Sequence, residues 1–383
     1  LLAVGAGALV LSGRLLGISE LYALAVGALA LIVGALVYVH ITKVTLDARR
    51  ELHPPRVHAG SPSRVELTVH NRGTRRTPVL GVRDPFDGGK RWARFLLSPL
   101  TVGEQARAAY RLPTERRGVY DLGPLEVHLT DPFGVAGWKT LAAPPTQLTV
   151  FPRVDVIEPL PQTLGHDPHA ATDHPTAIGR GGEDFYGLRP YELGDDLRRV
   201  HWPTTARTGE LMIRQDEMPW QGRATVVLDV RRDVHTAASL ENAISAAASI
   251  VSAAWRQRAL IRLVATDGVD SGFGAGPAHT EAILEHLATV GATRLGGLDT
   301  ALEHVRRDAR GGALAVVTTS TAPGSDLQRL GGLRGRYGVV LVLFEQGTTP
   351  GAIPTVGRVV RVPTHSTFAE AWGLGVASGR ILS

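Results

Sequence analysis

The chain has 383 residues, 44% hydrophobic and 20% charged, which excludes a disordered polypeptide and leaves room for two ordinary domains. The absence of cysteine excludes disulfides, thiolate metal sites and cysteine nucleophiles. The net charge of +5 comes mostly from arginines spread along the chain, with no basic-aromatic motif of a nucleic-acid reader, so no nucleic-acid partner is expected.

Residues 1–42 read as a transmembrane helical hairpin. Leu1–Ser12 is apolar, Arg14 and Glu20 bracket a short polar break, and Leu21–Val39 carries no charged residue over a length that crosses a bilayer core. Gly27, Ala30 and Gly34 would let another helix approach closely. The sequence does not begin with methionine, so the first helix is expected to be truncated. A buried core helix is the alternative. A signal peptide fits poorly, because two apolar runs occur in tandem and no small-residue cleavage site follows the second. Lys43, Arg49 and Arg50 come directly after the second helix, which by the positive-inside rule puts the bulk of the chain in the cytoplasm. The expectation is a multi-pass protein of the cell membrane.

Residues 51–154 read as a small all-β, Ig-like sandwich. Val65–His70 alternates apolar and polar, and further strands are expected at Pro78–Arg83, Gln105–Leu112, Leu125–Leu129 and Gln147–Phe151. Turn signals separate them, and Asp131 ahead of Pro132 and Gly134 is a turn former. Residues 155–222 follow as a linker leading into a charged segment. Within it His166, His169 and His174 lie near Asp167 and Asp173, but without the fixed spacing of a metal-binding helix face they read as solvated.

Gly179–Trp220 is dense in charges and aromatics and keeps no hydrophobic period. Residues 223–383 then alternate near-continuous apolar strands with helices. Strands are expected at Ala224–Val230, Ala259–Thr266, Ala313–Thr318 and Gly338–Phe344. Helices are expected at Ala237–Trp255, Thr280–Val290, Leu298–Arg307 and Ser325–Leu333. That rhythm implies a Rossmann-type parallel sheet covered on both faces, with ligands beyond the carboxyl ends of its strands. Asp229, Asp233, Thr266, Asp267 and Thr318–Ser320 fall at those ends.

The run Glu183-Asp184-Phe185, Leu188-Arg189-Pro190-Tyr191, Gly194-Asp195-Asp196, Arg198-Arg199-Val200-His201-Trp202 and Ala206-Arg207 resembles the signature of the domain-of-unknown-function-58 (DUF58) family. The resemblance extends to the apolar N-terminus, to Arg116–Tyr120 and Asp131–Gly134 in the β-module, and to a C-terminal domain similar to von Willebrand factor type A. It departs from the family pattern at His201, where many relatives carry Asp. What it implies is a membrane-anchored adaptor working beside a MoxR-type AAA+ ATPase, and beside a membrane transglutaminase-like protein.

Von Willebrand A domains usually hold Mg²⁺ through Asp-x-Ser-x-Ser after the first strand. Here that loop reads Asp229-Val230-Arg231-Arg232-Asp233, so Arg231 and Asp233 replace the serines. Arginine has no acceptor and a fixed positive charge. A degenerate site is therefore expected, with Arg231 or a signature arginine paired to Asp229 in the metal's place, and no cofactor.

Asp195, Asp196 and His201 could serve as acid and base in a hydrolytic or transfer enzyme. No nucleophile elbow, phosphate-binding loop, His-Glu-x-x-His or dinucleotide motif accompanies them, so a binding protein is the stronger expectation. The signature itself has two readings. It is either a partner-facing surface or a clamp in which Arg189, Arg198 and Arg207 pair with Glu183, Asp195 or Asp196.

Overall fold

The computed structural model describes residues 2–42, 44–161, 184–191, 200–217, 222–307, 311–346 and 357–377. Two compact units divide the chain, Leu1–Pro152 and Arg153–Ser383.

The first unit begins with helices α1 (Leu2–Leu16) and α2 (Glu20–Ile41). Gly13 of α1 lies where Leu21 and Tyr22 of α2 approach, and a β-carbon there would crowd them. Among the described residues, α2 is the one helix long and apolar enough to cross a membrane. Only 11% of its most apolar window is buried, whereas a core helix would be covered. At 15 residues α1 is about 22 Å long, short of a hydrocarbon core of about 30 Å.

Ten strands follow: β1 (Leu46–His53), β2 (Arg56–His58), β3 (Ser63–Asn71), β4 (Leu80–Phe86), β5 (Arg91–Leu97), β6 (Gln105–Leu112), β7 (Gly118–Leu122), β8 (Leu125–Thr130), β9 (Gly137–Ala143) and β10 (Thr146–Phe151). They form two sheets, β1-β3-β6 and β2-β10-β7-β4-β8-β9, with β5 paired to β4 alone outside that path. Alternation drives the packing. Val65, Leu67 and Val69 of β3 and Leu80 and Val82 of β4 point into one shared core with Leu125, Val127 and Leu129 of β8. Asp131 ends β8 as a turn former, its carboxylate accepting from the backbone N–H of Ala136 (2.6 Å) and Phe133 (2.9 Å). Those bonds, Ala136 first, hold its pKa below the ordinary value.

The module starts at Leu46, ahead of the expected boundary at residue 51, because an inward-facing arginine hides the alternation of β1. Arg50 sits between Ala48 and Leu52 on the core side. Its side chain is fully buried against an equally buried Asp84. In the folded module Arg50 is therefore an internal ion pair. Lys43 lies outside the described residues.

The second unit holds β11 (Asp184–Pro190), α3 (Trp202–Thr208) and β12 (Met212–Glu217) ahead of the parallel sheet. That sheet runs in the order β14-β13-β15-β16-β17, from β13 (Arg223–Leu228), β14 (Leu260–Ala265), β15 (Gly312–Thr319), β16 (Tyr337–Phe344) and β17 (Arg358–Val362). Helices α4 (Ala237–Arg256), α5 (Gly276–Thr289), α6 (Leu298–Arg307), α7 (Gly324–Gln328) with a 3-10 turn (Arg329–Leu333), and α8 (Phe368–Ala377) accompany it. Leu298, Leu302 and Val305 of α6 and Leu327 after β15 cover one face of the sheet with Leu330 and Leu333.

Helix α4 starts at a Thr236–Ser239 capping box and is buried around most of its circumference. The reason lies in residues 153–158, expected to be the end of the β-module up to 154 and linker from 155. The Arg153 carbonyl accepts from Ser245 Oγ, the Asp155 amide donates to Ser249 Oγ, and the Ile157 carbonyl accepts from Arg256. This strand of backbone thus lies along α4. Trp372 of α8 donates to the Glu158 carbonyl (2.7 Å) and anchors it further.

On β14, Arg262 grips Asp270 with a two-pronged fork (Nε to Oδ1, 2.8 Å), and this bond first of all holds the Asp270 carboxyl below its ordinary value. A lowered folded-state pKa contributes stability above the unfolded value near 3.8 that is lost as pH falls through the folded one. Asp270→Asn is therefore expected to flatten the acid limb of the stability curve below about pH 4, read by urea melts across pH. An unchanged limb would refute it.

Candidate functional site

In a sheet of order β14-β13-β15-β16-β17, the chain reverses direction of winding between β13 and β15. Open parallel sheets bind ligands beyond the carboxyl ends at that crevice. Asp229 follows β13 and Thr318 lies near the end of β15, so both stand at the switch point.

What fills the place is the chain's own arginine. Arg231 donates from Nε to Asp229 Oδ1 (2.9 Å) and from Nη2 to Oδ2 (2.8 Å). Its third nitrogen, Nη1, donates to Asp326 Oδ2 on α7 (2.9 Å). Thr318 Oγ1 donates to Asp229 Oδ2 (2.8 Å), and the Arg231 amide donates to Oδ1 (3.2 Å). Thr266, at the end of β14, accepts from the Val230 amide (2.9 Å) and donates to Asp229 at a long 3.4 Å. Asp229 and Thr318 are fully buried, and Arg231 is 9% exposed. The bonds to Asp229 raise the Arg231 pKa further, against the opposing effect of burial, so the guanidinium stays charged. His235, two residues past Asp233, is pushed below its ordinary 6.5 by burial and is neutral at pH 7.

The loops above are tied as tightly. The Val234 carbonyl accepts from Thr319 Oγ1, Thr321 Oγ1 and Gln346 Nε2. The segment at Thr293 pairs with Val230 and Arg232 through backbone bonds. Gly296, at φ +83, then passes so close to the Thr266 carbonyl that any β-carbon would overlap it.

Such a donor set does not fit a divalent cation. Both Asp229 oxygens already accept from a guanidinium, which would repel the ion. Asp233 lies exposed in the turn after Arg231 and takes no part in the network. Among the described residues, no three His, Asp or Glu side chains converge on a point. Asp326 was not legible as a partner, since nothing in Gly324–Gln328 beyond an acid in the first helical turn marks it.

The described part of the signature is a local structure of its own. Strands β11 and β12 pair antiparallel, with a bulge between Phe185 and Gly187. The Tyr191 amide donates to the Leu211 carbonyl (2.8 Å) and the His201 amide to Met212 (2.7 Å), while Val200 and Ile213 are buried. His201 caps α3: its Nδ1 accepts from the Thr204 amide (3.3 Å) and lies 2.9 Å from Thr204 Oγ1. Trp202 is 65% exposed, and Arg207 is exposed in the last turn of α3. Glu183, Asp195, Asp196, Arg198 and Arg199 lie outside the described residues, and of Arg189 only the backbone is described.

Residues 187–367 match the family described as protein of unknown function DUF58. The match begins within β11 and takes in β12 and the parallel sheet. A comparison with curated proteins finds no match. Solved structures with partial likeness include the CARDB domain of a Pyrococcus furiosus protein (15% identity, 28% of this chain and 92% of that one, TM-score 0.22). Others are a Pseudomonas fluorescens alkylpurine DNA glycosylase bound to DNA (12%, 29% and 32%, 0.21) and a β-glucosidase of Thermotoga neapolitana (15%, 28% and 17%, 0.17). At these scores the likenesses constrain neither fold nor function.

Proposed function

We propose that this chain is a membrane-anchored adaptor. In this reading α1 and α2 form a helical hairpin in the bilayer, and the β-module is an Ig-like sandwich. The parallel-sheet unit is a von Willebrand A-like recognition domain. The soluble units face the cytoplasm, and the partner is an AAA+ ATPase of MoxR type.

The observation that carries the reading is Arg231 in the switch-point crevice. A site whose carboxylate, hydroxyls and loop carbonyl are all bonded internally offers no nucleophile or open coordination position. That closed crevice favours recognition by the surface of the domain. An unburied apolar helix of 22 residues at the other end of the chain supports anchoring. The ATPase partner rests on the DUF58 resemblance.

Affinity purification of the full chain from native membranes, followed by mass spectrometry, tests the proposal. Recovery of an AAA+ ATPase is expected, and its absence would overturn the partner. Trp202→Ala in the same assay is expected to cut ATPase recovery several-fold while changing stability by no more than about 0.5 kcal/mol, as for other exposed positions. A collapse of the melting temperature would make Trp202 structural instead.

A further inference from the structure

We infer that the β-module carries a docking groove for an extended acidic peptide, between the free edges of β5 and β6. Only the first unit is involved, so the inference stands apart from the adaptor reading.

Among the described residues, strand β5 is hydrogen-bonded to β4 alone and β6 to β3 alone, so each leaves one edge of backbone N–H and C=O groups unpaired there. The two edges border one groove of about 560 Å³. Its floor consists of the half-buried, inward side chains Ala93, Phe95, Ala106, Ala108 and Tyr110, each of which lines it. Alanine at three of these positions leaves room that larger residues would fill. Neither strand contains proline, and neither ladder is interrupted by a bulge, two devices that commonly protect an edge. Both edges are therefore regular enough to accept another strand.

The charge pattern selects the occupant. The outward positions of β5 and β6 include Arg94, Arg107 and Arg111 beside the exposed Trp92 and Leu96 of β5, and neither strand has an acidic residue. Among the described residues Arg94, Arg107 and Arg111 make no ion pair. The nearby carboxylates are engaged: Asp84 is buried on Arg50, and Glu104 accepts from the Thr101 amide and hydroxyl. Pairing of this edge with the same edge of a second copy would set arginine rows against each other, which is unfavourable. A strand whose inward side chains are apolar and whose outward side chains are Asp or Glu satisfies floor, edge and rim together.

The test uses the full chain in detergent micelles and a fluorescent peptide of about ten residues alternating valine and glutamate, the length of a long strand. Saturable binding is expected. Arg94→Glu with Arg107→Glu should weaken it at least about tenfold, while Arg94→Lys with Arg107→Lys should keep it. N-methylation of alternate residues of the peptide should abolish it, since strand addition needs those N–H groups. Thermal melts check that both variants fold. No saturable binding up to about 1 mM, a weak limit by any measure, overturns the inference. Equal binding of a polyglutamate peptide, or of the valine–lysine version, overturns it too, because then charge alone or apolarity alone is being read.

Discussion

Replacing Arg231 with alanine is expected to destabilise the Arg153–Ser383 unit by about 3–5 kcal/mol, the cost of stranding a buried charge. Asp229 is fully buried, and among the described residues Arg231 is its one cationic partner. Without the guanidinium, the carboxylate keeps two threonine hydroxyls, one of them at a long 3.4 Å, and one backbone amide, too little to balance a charge removed from water. Asp326 would lose its partner as well, but at 16% exposure it can be reached by solvent. Asp229→Asn in the Arg231→Ala background removes the stranded charge and should recover at least about half of the loss. Urea denaturation of the full chain, with hydrogen exchange read at Arg223–Leu228 and Gly312–Thr319, measures both. A loss below about 1 kcal/mol, as for a surface pair, would refute the role assigned to Arg231. So would micromolar Mg²⁺ binding by the unaltered chain that disappears in Asp229→Ala.

An effect of similar size is expected in the β-module from Arg50→Ala. Arg50 Nε donates to Asp84 Oδ2 (3.0 Å) and Nη2 donates to Oδ1, while Nη1 reaches the carbonyls of Leu122 (3.2 Å) and Pro144 (2.8 Å). Tyr110 Oη donates to the same Asp84 (2.7 Å). Arg50 and Tyr110 come from the β1-β3-β6 sheet and Asp84 from the other, so this one network ties the two sheets across their core. Losing Arg50 strands Asp84 at about 3–5 kcal/mol, and Tyr110→Phe should cost less, about 1.5–3 kcal/mol for a bond to a charged acceptor.

The phenol adds a pH signature. Burial, and then the neighbouring Asp84 charge, push the Tyr110 pKa well above its ordinary 10.0. A raised folded-state pKa contributes stability that is complete below the unfolded value and is lost as pH rises above it. The first unit should therefore lose stability from about pH 10 upward, and Tyr110→Phe should lack that component. Identical alkaline limbs in the two proteins would contradict the assignment.

Where a period was present, the sequence was enough. Val65–His70, Gln105–Leu112 and Leu298–Arg307 all read correctly, because burial on one face imposes alternation on a strand and a 3.6-residue period on a helix; Ala237–Trp255, buried on most sides, was legible by its length and alanine content. Near-continuous apolar runs likewise marked the parallel strands, which are covered on both faces. Elements without such a pattern were missed. In β1 an inward arginine breaks the alternation. In β5 and β9 apolar side chains stand on the solvated side as well, Trp92 and Leu96 in the one and Leu141 in the other, and break the alternation. Strand β17 and helix α8 are short and lie at the end of the chain's rhythm.

Residue types at the site could be read from sequence: Asp229 after the first parallel strand, arginine where a cation site needs serine, threonines on the later strands. Which arginine closes on Asp229, and that Asp326 holds its far side, could not. Nor could the pairing of Arg50 with Asp84, or the fact that β5 and β6 are edges bordering one groove. Secondary structure leaves a periodic trace because each residue's burial depends on its immediate neighbours along the chain. An ion pair or a sheet edge depends on which distant segments pack together, and charge attraction imposes no spacing that a sequence could record.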